Sequence, residues 1–346
     1  MANRAVRTSV RRCAWMAVCG LFVAAAPAFG RHPTSDILNT AAFTAAADLV
    51  VSGRVAHVAP TGRTRSVDVA FNQPENLEVY EATFDIALVL KGSPPSRRMT
   101  FEFLGAPSDS RGTVSGAFRI FFLVRRDNGF AVVDNSFPSV AAAPDATFPP
   151  EDVEPIDRVV DLVAPTLVAP TSTRAQKLET LWTLASSHGP RAVEFLRRGV
   201  ADPDDDIWQR ALGMLLALHD TSRLALAEDV LMHPEQHTSD AVLAVRVGLQ
   251  WGGGGPTAVP MLSRLMKSPD ALTRRTAATL LFQVKSPDGV PALVGGLDDD
   301  DPEVRRMSTV GLSAITGEKP SIRLRGDSEA IENYWRAWAR QRGLLP

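Results

Sequence analysis

Cysteine is almost missing from this chain. Its 346 residues include two, Cys13 and Cys19, and both fall in an N-terminal segment expected to be removed. A mature chain without cysteine has no thiol nucleophile, thiolate metal site or disulfide framework, and leaves packing to supply stability. A surplus of positive charge is missing too: 37 Lys+Arg stand against 39 Asp+Glu. That argues against nucleic acid as partner, which asks for a basic stripe. No apolar run reaches the length of a membrane span. There is no Gly-x-Ser-x-Gly, and His32, His57, His188 and His219 are scattered. No local catalytic signature stands out, although a triad can assemble in space.

What is present starts with an export signal. Arg4, Arg7, Arg11 and Arg12 precede an apolar run over residues 13–26. Ala26-Pro27-Ala28 offers small residues for cleavage near Ala28. The reading is a cleavable signal peptide over 1–28 and a secreted or periplasmic protein. The Arg11-Arg12 pair leaves the export route, general or twin-arginine, open. Cleavage removes four arginines and takes the formal charge from −2 to −6. The remaining length predicts two domains.

The first domain, over 29–137, reads as β. A short helix is expected over 36–47. Then 49–58 is β-rich, with Gly53 predicting a bulge or bend. Residues 60–76 read as a polar loop. Phe84, Ile86, Leu88 and Leu90 alternate with polar neighbours, as do Met99, Phe101 and Phe103. Phe118, Ile120, Phe122 and Val124 are expected to face the core, with Phe121 and Leu123 on the opposite face. Asn128-Gly129 predicts a hairpin turn. Five strands with one apolar face predict a small antiparallel barrel or sandwich. The segments "ADLVVSGRVAHV", "EATFDIALVLKG", "MTFEFLG" and "FRIFFLVRRDNGFAVVD" resemble the oligonucleotide/oligosaccharide-binding (OB) type of barrel. More narrowly, they resemble the netrin-like kind found in tissue inhibitors of metalloproteinases. The chain lacks that family's disulfides and N-terminal cysteine, so the inhibitor activity does not carry over. Residues 138–173, rich in proline, read as an extended linker.

From 174 to 346 the chain repeats itself. Gln176, Ile207, Ala241, Leu272 and Val304 are spaced by 31, 34, 31 and 32 residues. Each is followed at four and eight residues by a small or short and then an apolar position, such as Ala211/Leu215 and Ser308/Leu312. This predicts about five helix pairs: 174–187 with 190–200, 204–218 with 222–232, 240–251 with 257–266, 271–284 with 289–296, and 303–315 with 328–342. A period near thirty with two helices per unit marks an α-solenoid. "DDDDPEVRRMSTVGLSAITG" resembles HEAT-type repeats, especially those of the bilin-lyase kind. Its Asp-x-x-Val-Arg element matches at Asp301, Val304 and Arg305, while Trp208, Val242 and Thr273 take the arginine's place elsewhere, which predicts no continuous arginine ladder. Ile331, Tyr334, Trp335 and Trp338 form an aromatic stripe suited to capping the stack.

Candidate chemistry resolves mostly into structure. In His233-Pro234-Glu235-Gln236-His237, proline stands where a zinc helix needs glutamate, so the segment reads as an inter-repeat loop. The acidic runs 202–206 and 298–301 lack the alternation and glycine of a calcium loop and read as helix caps. Gly252–Gly255 follows a helix rather than a strand and reads as a flexible turn. The whole is a multidomain α+β chain, a five-stranded antiparallel barrel or sandwich followed by a HEAT-like solenoid. The predicted function is an exported, non-enzymatic interaction scaffold with no cofactor. Its solenoid would bind a protein or peptide through Arg197, Arg198, Arg264 and Lys267 on second helices. Two alternatives rest on resemblance or composition: an enzyme-associated or inhibitor-like factor, and envelope polysaccharide binding through aromatics such as Tyr80 or Phe130.

Overall fold

The computed structural model describes residues 38–69, 73–105, 115–126, 129–135, 138–143, 152–252, 254–321 and 327–346. The expected signal segment with its expected cleavage site, Asn128 of the expected hairpin and Gly253 lie outside the described residues. The chain divides into two compact units, one ending at Thr166 and one running from Leu167 to Pro346.

In the first unit, α1 (Thr40–Ala46) is capped by Asn39, which accepts from the Ala42 N–H. Lys91 closes its other end by donating to the Thr44 and Ala45 carbonyls. Six strands follow: β1 (Leu49–Val69), β2 (Gln73–Lys91), β3 (Arg98–Gly105), β4 (Phe118–Arg126), β5 (Gly129–Val132) and β6 (Ser139–Ala141). They pair in the order β1-β2-β3-β5-β4-β6, and β4 also pairs with β1. All pairs are antiparallel except β3 with β5, which meet in parallel at Glu102 and Ala131. The sheet is therefore mixed and six-stranded, where the sequence predicts five antiparallel strands. Within the expected loop over 60–76, residues 60–69 and 73–76 are strand as well, since β1 and β2 stay paired out to Val69 and Gln73. Ladder hydrogen bonds hold that hairpin without the apolar alternation that marks a half-buried strand. Gly53 does sit at a register shift, and a Cβ there would overlap the Asp85 carbonyl.

The β core contains Leu49, Val51, Val55, Phe84, Phe101, Phe121 and Leu123. The Phe121 ring lies 4.9 Å from Phe84 and 4.6 Å from Phe101. This reverses the expected orientation of β4. Ile120 and Phe122 alternate onto the other face, where Phe122 meets Phe43 of α1 at 6.0 Å. All four are buried. A strand covered on both sides has no polar face, so alternation cannot assign its sides.

The stretch expected to be extended linker is partly folded. Besides β6 it holds α2 (Pro155–Val163) and α3 (Pro165–Val168). Two of its prolines, Pro155 and Pro165, stand at first helical positions, where the missing N–H costs nothing. Val159, Val160, Leu162 and Val163 are buried. Arg158 ties α2 to β2 by donating to the Val89 and Leu90 carbonyls.

Ten helices in five pairs make up most of the second unit. They are α4 (Arg174–Ala185) with α5 (Pro190–Gly199), α6 (Asp205–Ala217) with α7 (Leu224–Met232), α8 (Ser239–Gly252) with α9 (Val259–Leu265), α10 (Ala271–Val284) with α11 (Val290–Gly295), and α12 (Pro302–Thr316) with α13 (Ser328–Gln341). First helices contact one another in succession, and so do the second helices from α7 onward. One apolar cluster runs unbroken from Leu212 of α6 to Ala339 of α13. Trp335 is fully buried and Trp338 nearly so, whereas Asn333, Ala337 and Arg340 face solvent. A terminal repeat needs that division.

The repeat register differs from the sequence reading at two anchors. Leu272 is 50% exposed, and the buried anchor of α10 is its neighbour Thr273. Gln176 is exposed and closes a capping box with Thr173. Apolarity misplaced α10 because the true anchor is a threonine, whose hydroxyl is satisfied by Asp270 at 2.7 Å.

Glycine sets the closest packing. A Cβ on Gly248 of α8 would overlap the Gly213 carbonyl of α6, and one on Gly252 would overlap the Leu216 carbonyl. Both helices therefore approach to backbone contact. Gly248→Ala is expected to lower the unfolding free energy by about 2 kcal/mol or more through overpacking. Gly295→Ala, with open space around it and an ordinary helical φ of −59°, is expected to be neutral or stabilising within about 1 kcal/mol. Urea titration of the two variants checks the contrast. Trp335→Ala is expected to cost about 3–5 kcal/mol by the same measurement, because it empties a closed site.

Candidate interaction surface

Three of the four boundaries between pairs carry the same turn, and at the fourth Thr238 accepts from the Ala241 N–H instead. Asp202, Ser268 and Asp299 accept from the N–H of Asp204, Asp270 and Asp301 respectively, at 2.9, 3.3 and 2.9 Å. Those second residues are N-caps. Asp204 accepts from Asp206 and Ile207, Asp270 from Thr273, and Asp301 from Glu303 and Val304. The acidic runs are therefore capping devices, each satisfying N–H groups that the helix leaves without partners.

At all four boundaries an acid at the start of the new pair receives a cation from the preceding one. Arg174 reaches Asp204 and Asp206, Arg210 reaches Asp240, Arg246 reaches Asp270, and Arg275 binds Asp301 with two nitrogens. A second row joins Lys177 to Asp202, Arg274 to Asp299 and Arg305 to Glu332. Arg274 and Arg305 are equivalent in detail. Nη1 of Arg274 donates to the Ser268 and Pro269 carbonyls, and that of Arg305 to Asp299 and Asp300. The row that follows the anchors is interrupted at Trp208 and Val242, as expected, but another row of cations, Arg174, Arg210, Arg246 and Arg275, is continuous along the first helices. Its cations leave from different helical positions, which hides it from a fixed-spacing search. With Thr273 as anchor, Asp270-x-x-Thr273-Arg274 repeats Asp301-x-x-Val304-Arg305.

Three of the four predicted contact residues are engaged within the chain. Arg197 at the end of α5 donates through two nitrogens to Asp220, at 2.9 and 2.6 Å. Arg198 pairs with Glu194 and lies over the Phe195 ring at 4.9 Å. Arg264 of α9 binds Glu228 of α7. Lys267 is exposed and makes no ion pair among the described residues. All four stand at or just beyond the last turn of a second helix, where cations complement the backbone dipole. No signal marked the exposed Trp182, Leu243, Trp251 and Leu272 on first helices, because the helical pattern counts every apolar residue as core.

The remaining candidates resolve into packing. Gln209 is fully buried and meets Nδ1 of His237 at 2.8 Å, with Trp208 edge-on to the imidazole. His233 bonds the Asp229 carbonyl. Among the described residues no group of three or more His, Cys, Asp or Glu is arranged to hold a metal. Gly252 serves the α6–α8 contact, while Gly254 and Gly255 take left-handed φ values of +59° and +58°. Tyr80 and Phe130, considered for polysaccharide, are half-buried and pack against the β core. Burial and the Glu78 carboxylate push the Tyr80 phenol up to about 12.

The clips make stability depend on acid. Arg275 first, then the capped N–H groups, hold the Asp301 carboxyl well below the usual range. Burial pushes Asp270 up, but Thr273 and Arg246 outweigh it and leave it lowered. Asp220 is lowered likewise, with Ser222 and Arg197 outweighing burial. A lowered folded value gives stabilisation that is complete above the unfolded carboxylate pKa of about 4 and lost as pH falls through the folded values. The melting temperature is expected to change little between about pH 7 and 5 and to fall increasingly below about 4. Arg275→Gln should flatten that acid limb in melts recorded from neutral to strongly acidic pH.

Residues 250–333 match the HEAT repeats family, and the C-terminal half of the chain carries HEAT-like repeats. A comparison with curated proteins gives no match. Among solved structures the chain is similar to human deoxyhypusine hydroxylase in complex with glycerol. That similarity has 16% identity over 54% of this chain and 96% of that one, with a TM-score of 0.22.

Proposed function

We propose that this chain is an exported, non-enzymatic interaction protein whose helical array holds a protein or peptide partner. The array itself carries the reading. Stacked HEAT-like pairs present one extended surface that no single pair offers, and HEAT repeats commonly serve protein interaction. The contact surface proposed is the set of positions at the ends of the second helices: Arg197, Arg198, Arg264 and Lys267. An exposed ion pair adds little to stability. Arg264 can therefore exchange Glu228 for a partner's carboxylate at small cost, and Lys267 needs to give up nothing.

The first unit is proposed to be an OB-type barrel. Support comes from the strand order, in which β1, β2, β3, β5 and β4 pair in turn and lead back to β1. The single parallel step between β3 and β5 also fits. Export belongs to the same proposal, resting on the basic residues and apolar run ahead of Ala28.

Capture from the periplasm and medium of the producing cell, using the full chain with a C-terminal tag, tests both parts. A protein or peptide is expected to co-purify. The double variant Arg264→Glu/Lys267→Glu is expected to retain roughly tenfold less of it, as for loss of a central contact, with its melting curve unchanged. No enrichment, or equal recovery by the variant, contradicts the scaffold reading. An exported chain whose mass still includes Met1 contradicts the signal.

A further inference from the structure

The junctions between first helices are not alike. At α6–α8 the backbones touch through Gly213, Gly248 and Gly252. His219 beyond α6 adds an Nδ1 contact to the Gly252 carbonyl at 2.8 Å. At α10–α12 the helices run closely along one another. Two guanidinium groups clip them, Arg274 on Asp299 and Arg275 on Asp301, each with two nitrogens on a carboxylate. Between these stands α8–α10, where the helices approach at few positions. Helix α10 contains no glycine, so its backbone stays at the ordinary separation of about 8–10 Å set by side chains.

Among the described residues that junction has one clip. Arg246 donates through Nη2 alone to Asp270 at 2.6 Å, and its buried Nε has no partner. The turn that leaves α8 contains two glycines in the left-handed region, Gly254 and Gly255. Leu243 and Leu272, one on each helix, remain 36% and 50% exposed. The stretch that matches HEAT repeats also begins here, at residue 250. In a stacked array each pair contacts only its neighbours, so no distant contact compensates for a loose junction.

We infer that, between the second and fifth pairs, the array flexes at one joint, α8–α10, with the Arg246–Asp270 pair as its latch. The segments on either side move as blocks. The apolar cluster continues beneath the joint through α9, which packs on both α7 and α10. The motion is therefore a small sliding of packed helices rather than an opening of the core. This holds for the array whatever it binds.

Spin labels on the full chain test it, with Cys13 and Cys19 replaced by serine. Labels go at exposed positions: Ala225→Cys with Gln283→Cys spans the joint, and Gln283→Cys with Ala337→Cys stays within the downstream block. The distance distribution across the joint is expected to be roughly twice as broad as the one within the block, as shear between packed helices produces. Arg246→Met keeps the aliphatic stem, and is expected to broaden the first distribution and leave the second unchanged. Equal widths in the chain with Arg246 intact overturn the inference, and so does a first distribution insensitive to Arg246→Met at unchanged helix content.

Discussion

The second unit depends on one interaction: a cation leaving a first helix and closing on the acid that begins the next. The carboxylate at that point has two roles. It satisfies N–H groups at the new helix N-terminus, and it neutralises a guanidinium from the helix before. Neither role alone would fix one pair against the next. A cap without the cation starts a helix but leaves its position free, and a cation without the cap ends at a mobile side chain. Joined, they couple where a helix begins to where its neighbour lies. An ion pair at a protein surface contributes little by itself. Here Arg274 and Asp299 are mostly screened from water, at 16% and 9% side-chain exposure, and backbone carbonyls hold the guanidinium in place, so the geometry is set before the pair closes.

Packing then refines what the clips position. Glycine lets α6 and α8 approach to backbone contact, where any side chain would hold them apart. The result is an array of unequal junctions, and a surface defined by repetition. In the first unit the equivalent constraint is the two-sided burial of β4, which carries Phe121 into the β core and Phe122 under α1.

Much of this was legible in the residues. The five helix pairs fall within a few residues of the expected bounds, because proline, aspartate and glycine punctuate many of the helix ends and the apolar period is strong. The cap role of 202–206 and 298–301 was also readable from charge placement. Three things were not. The anchor of α10 is a threonine beside an exposed leucine, so ranking by apolarity chose the wrong residue. The ladder's cations leave from different turns, and only the fold brings them to equivalent acids. The orientation of β4 had no signal, since both faces are apolar. Arg197, Arg198 and Arg264 looked available from sequence because their acids are 4 to 36 positions away and on other elements in two of the three cases.

The proposed function rests on repetition, and it stands on the array being held junction by junction. A double-mutant cycle on Arg275 and Asp301, measured by urea unfolding, tests that most directly. Two groups that act as one clip should lose less together than the sum of their separate losses, with a coupling of about 1 kcal/mol or more. Strictly additive losses would mean that the pair holds nothing, and the account of how this array is built would fail.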